Sequence, residues 1–124
     1  MSTGRFHISR VRLFARSGDD LTELAPPLAI SDGDALGPMV VVCEVSGPDA
    51  VSVGAAVQLL RGAAVLTQAV GRCRASAGDA APPIWLELPA AEIEAPASCE
   101  LRVYAENDAG EPAEYRCPID IERR

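Results

Sequence analysis

The chain has no lysine at all, a single histidine, and aromatic residues amount to only 4% of its 124 positions. All 11 basic residues are arginine, which reads as GC-rich coding rather than as a selected surface. With so few aromatics, the core must be built from Val, Leu, Ile and Ala. Eighteen acids leave a formal net charge of −7, and that balance argues against nucleic acid or an anionic membrane as partner, because both need a cationic surface. The longest apolar run, Met39 to Cys43, is far too short to span a bilayer. No apolar segment follows Met1-Ser2-Thr3-Gly4-Arg5, so no secretory signal is expected and a soluble, cytoplasmic protein is.

The four cysteines, at 43, 73, 99 and 117, contain no C-x-x-C pair for zinc or redox chemistry. Each sits within apolar alternation, where a free thiol behaves as a small hydrophobe. His7 lies between Phe6 and Ile8 in an opening strand, with no nucleophile or carboxylate in its sequence context. No catalytic constellation and no cofactor site is expected. Ser31-Asp32-Gly33-Asp34 has the spacing of an acidic calcium loop, but calcium takes six to eight oxygens. That reading needs Asp19, Asp20, Glu92 or Glu94 to join Asp32 and Asp34.

What is present is period-two alternation, in which one face of a strand is buried and the other wet. Val11, Leu13 and Ala15 alternate with Arg10, Arg12, Phe14 and Arg16. Phe6 and Ile8 have the opposite parity, so a bulge near Ser9 is expected. Ser17-Gly18-Asp19-Asp20 ends the strand, and residues 21–37, with Pro26-Pro27 and Gly37-Pro38, read as a long connection with little regular structure. Met39 to Val45 is β-branched and apolar, a central strand. Residues 53–70 admit two readings: a hairpin turning at Arg61-Gly62, or a helix through Ala55 to Leu60. Gly54, Gly62 and Gly71 count against the helix, and so do the valines. Ala77 to Pro83 reads as a loop and Ile84 to Leu88 as a short strand. Ala90 to Ser98 reads as a crossing segment. Cys99 to Glu106 and Ala113 to Ile121 form a hairpin about Asn107-Asp108-Ala109-Gly110, which would set Cys99 and Cys117 nearly opposite each other. The sum is one all-β domain over residues 1–124, an antiparallel two-sheet sandwich of about seven strands.

Leu101 to Gly110 resembles the F strand and F–G turn of immunoglobulin-like and fibronectin type III domains, whose A-x-N-x-x-G pattern is matched by Ala105, Asn107 and Gly110. Val41 to Gly47 is similar to an immunoglobulin B strand with Cys43 at the cysteine place. Leu59 to Val65 looks like a C–C′ hairpin. The resemblance implies an immunoglobulin-like fold and says almost nothing of function. It also puts Val103 where the partner of Cys43 would stand, so the inter-sheet disulfide is expected to be missing, and Leu101 where the corner tyrosine would be.

The expected role is a non-enzymatic protein-interaction or assembly module, a small subunit of a larger complex. The alternative is a ligand- or calcium-binding sandwich using its acidic loops. Arg10, Arg12, Phe14 and Arg16 are the candidate partner surface, either as a ridge for an acidic partner or as an edge offered for strand addition. Ordinary edge protection by charges paired to glutamates is the competing reading.

Overall fold

A computed structural model of the chain describes residues 5–30, 35–47, 50–74 and 82–123. The described residues contain strand and no helix: β1 (His7–Ser17), β2 (Asp20–Leu24), β3 (Leu28–Ile30), β4 (Met39–Ser46), β5 (Ser52–Arg61), β6 (Ala64–Arg74), β7 (Ile84–Leu88), β8 (Ala97–Glu106) and β9 (Pro112–Arg123). A front sheet has the order β2-β1-β4-β7 and a back sheet the order β3-β9-β8-β5-β6. This is an immunoglobulin-like two-sheet sandwich. β4, the β5–β6 hairpin and the β8–β9 hairpin stand where the resemblance placed B, C–C′ and F–G.

Local chemistry accounts for most of these elements. Register slips between Ile8 and Arg10 where β1 pairs with β4, so Ser9 is the extra residue that turns Phe6, Ile8, Val11 and Leu13 all inward. The β5–β6 hairpin closes through Gly62, whose φ of 60° lies in the left-handed region that costs glycine least. Residues 53–70 are therefore a hairpin and not a helix. In the β8–β9 turn, the Asn107 side chain is buried, and its Oδ1 accepts from Ala109 N at 3.1 Å and Glu111 N at 2.8 Å. That is what the asparagine of the A-x-N-x-x-G pattern does here.

Three expectations need correction. Residues 21–37 are not structureless: β2 pairs back onto β1, and β3 joins β9, so the strands number nine rather than about seven. The β3–β9 pairing is parallel, so the sandwich is not wholly antiparallel. Cys99 faces Ile119 and Cys117 faces Leu101, which offsets the two cysteines by two residues along the ladder instead of placing them opposite. All four cysteines are free thiols. The loop expected from residue 77 lies outside the described residues as far as 81.

The core lies between the sheets. Val41 and Cys43 from the front meet Val57, Leu59, Leu101 and Val103 from the back, all essentially inaccessible. One side of the sandwich is sealed where β6 lies against β7, with Thr67 Oγ1 donating to Pro89 O at 2.9 Å. Gly71 makes that approach possible. A Cβ there would stand 2.8 Å from Leu86 Cδ2 and 3.1 Å from Trp85 O.

Gly71→Ala should therefore destabilise the domain by about 1–3 kcal/mol, the cost of overpacking a close contact. Gly54→Ala, whose Cβ would meet only the Arg72 guanidinium at 3.3 Å, should be close to neutral; equal melting temperatures for the two variants would refute this account of the seal. Burial also pushes the Cys43 thiol up to about 11, with lesser contributions from Cys73 and Glu44. The unfolded chain loses this proton near pH 8.5–9, whereas the fold holds it until about 11, so stability should fall as pH rises through that interval. Cys43→Ala should remove roughly 2–3 kcal/mol of the loss between pH 9 and 11, as read by denaturant titration. Identical pH slopes in both proteins would contradict it.

Candidate functional site

β4 is buried on both of its faces. Met39, Val41 and Cys43 point into the sandwich, while Val40 and Val42 point outward from the front sheet, yet they are only 0% and 6% exposed. Something on the outer face must cover them, and pairing identifies what. Arg12, Val42 and Trp85 form one row across β1, β4 and β7; Glu23, Phe14, Val40 and Glu87 form the next across all four strands. Phe14 and Trp85 thus flank the two valines from either side. Phe14 is half-buried, whereas Trp85 remains 54% exposed.

A frame of charge surrounds this apolar strip. Arg12 grips Glu23 with two hydrogen bonds, at 2.8 and 3.3 Å, and its guanidinium carbon stands 5.0 Å from the centroid of the Phe14 ring. The hydrogen bond from Arg12 holds the Glu23 carboxyl below its ordinary range, and the same contact raises Arg12. Arg16 Nη2 reaches Glu87 at 2.8 Å across β4, while its Nε is buried without a hydrogen-bond partner among the described residues. Arg10 stands opposite Glu44.

The structure therefore brings Arg10, Arg12, Phe14 and Arg16 onto one face, as period two predicts. It does not leave them as a bare basic ridge, because Arg12 and Arg16 are ion-paired to glutamates of β2 and β7. β2 and β4 flank β1 over Leu13–Ser17 and close it to strand addition at Phe14 and Arg16, whereas His7–Arg12, with Arg10 and Arg12, is paired among the described residues by β4 alone. Trp85, Val40 and Val42 were missed as part of the site. The available signal was the unbroken run Met39 to Cys43, since a strand apolar at both parities needs cover on both faces.

Other candidates are weaker. His7 is exposed, and its Nδ1 lies 2.7 Å from the Arg5 carbonyl rather than beside a carboxylate. Asp32 and Asp34 of the calcium reading lie outside the described residues. Among the described residues no three His, Cys, Asp or Glu side chains gather as for a metal, so Asp19, Asp20, Glu92 and Glu94 form no site between themselves. A half-open cleft of about 310 Å³ between the end of β1 and the β2–β3 segment is lined by Ala15, Leu28, Ile30, Leu36 and Met39, with Arg16 its one charged residue among those described. Nothing there converges on a reacting atom.

No protein-family model matches the sequence. No curated protein matches it significantly. Among solved structures, one of murine CRIg matches at a TM-score of 0.39 and 12% identity, covering 82% of this chain and 96% of that one.

Proposed function

We propose that the chain is a non-enzymatic, immunoglobulin-like interaction or assembly module, a small subunit that docks another protein on the outer face of its front sheet. The observation that carries this reading is the apolar strip of Val40 and Val42, roofed by Phe14 and by a tryptophan that is still half in water. Aromatic residues at the centre of a contact supply most of its binding energy, and charges around it exclude water and set register. The arginines serve as that frame. Arg12 and Arg16 hold Glu23 and Glu87 in place, and Arg16 lies across β4 as it does so.

The remaining parts of the reading rest on supporting chemistry. Four unjoined thiols suit a reducing, cytoplasmic compartment. An exposed histidine whose ring meets a backbone carbonyl suits a protein without catalysis. The acidic balance disfavours nucleic acid and membrane surfaces.

Affinity capture from the native host, with identical amounts of folded bait, tests the proposal. Trp85→Ala should reduce capture of the partner at least tenfold, a loss of roughly 1–3 kcal/mol in binding, while its melting temperature moves little. Phe14→Ala should lose binding too and also cost about 1–2 kcal/mol of stability, because it uncovers Val40. Tyr104→Ala, on the outer face of the back sheet, should capture normally. Capture that is indifferent to Trp85 and Phe14 but lost with Tyr104 would place the contact on the wrong sheet.

A further inference from the structure

We infer that the partner this face fits is a second copy of the same chain. The inference rests on the reading above and names the occupant of the same surface.

Charge is the argument. The outer face of the front sheet carries Arg10, Arg12 and Arg16 against Glu23, Glu44 and Glu87, and so has no net charge. The whole of the chain's −7 lies elsewhere. Much of it stands in exposed turns and connections, at Asp19, Glu92, Glu94, Asp108 and Glu111. A basic partner would be drawn to those turns, away from this face. An acidic partner would find Arg12 and Arg16 already occupied by glutamates at 2.8 Å. A partner whose own face mixes both signs around an apolar strip meets neither obstacle, and this chain presents such a face.

Two copies repel through their acidic turns and least through their sheet faces. The back sheet also mixes signs on its outer face, with Glu100, Arg102, Glu114 and Arg116, and it has an apolar row of its own, Val70, Ala56 and Tyr104, next to the glutamine pair Gln58–Gln68. The front face differs in pairing two buried valines, Val40 and Val42, with an aromatic ring on either flank, which is why Tyr104 serves as the control for the rival row. Phe14 and Trp85 flank β4 from opposite sides, so a two-fold axis running along β4 sets the Phe14 flank of one copy against the Trp85 flank of the other. Such a contact is isologous and closes at two copies. Four strands spaced about 4.8 Å apart offer on the order of 500 Å² per copy. That is below the roughly 800 Å² of a standard interface, so the dimer is a weak one, forming between about 10 μM and 1 mM.

Sedimentation equilibrium of the full chain across that concentration range is the test. The wild type should move from 13.0 kDa toward twice that mass. Trp85→Ser should weaken association at least tenfold, with circular dichroism confirming the fold. Glu87→Arg, at a well-exposed side chain, should weaken it further at low salt, and the charge swap Arg16→Glu with Glu87→Arg should restore it. Tyr104→Ser should leave it unchanged. A wild type monomeric at 1 mM overturns self-association while leaving the front face to be judged by capture of another protein. A dimer indifferent to both Trp85→Ser and Glu87→Arg overturns the two readings together, because the contact then lies elsewhere.

Discussion

The structure depends on β4 being buried from both sides. Five consecutive apolar residues, Met39 to Cys43, cannot all face one core, since side chains alternate across a strand. Half of them build the interior with the back sheet. The other half, Val40 and Val42, point away from it and would be an exposed hydrophobic stripe if nothing covered them. The cover is one residue thick: Phe14 from β1, Trp85 from β7, and Arg16, which reaches across β4 to Glu87. Everything proposed about function follows from how thin that cover is.

The same constraint shapes the rest of the front sheet. β1 must lie beside β4 with its outward side chains in phase with Val40 and Val42, and the extra residue at Ser9 is what allows this while Phe6 and Ile8 stay inward. β7 must bring Trp85 level with Val42, which fixes its register, and Gly71 lets β6 press close enough to hold β7 there. A sheet whose outer face is mixed in charge and partly aromatic is neither fully wet nor fully dry, which is the condition of a surface that associates reversibly.

Much of the fold was legible because it is local. The bulge near Ser9 follows from a parity change, the Arg61-Gly62 turn from glycine, and the Asn107 turn from an amide side chain able to bind its own backbone. β3 was not legible. Leu28-Ala29-Ile30 is three residues between Pro26-Pro27 and the acidic sequence Ser31-Asp32-Gly33-Asp34, and it is a strand only because β9 lies parallel beside it. The site was half legible for a similar reason. Period two puts Arg10, Arg12, Phe14 and Arg16 on one face, but whether those arginines are free depends on Glu23 and Glu87, which pairing brings from two other strands. Only the β4–β7 register sets Trp85 beside Val42, and nothing in the local sequence gives that register.

The state of Trp85 reports on this account most directly, and it is the only tryptophan in the chain. Acrylamide quenching of its fluorescence should be efficient in the dilute, isolated protein, and it should drop sharply when the protein is part of its native complex or concentrated enough to associate. A tryptophan already shielded in the isolated chain, or one equally quenchable in and out of the assembled state, would contradict the claim that the outer face of the front sheet is where this protein binds.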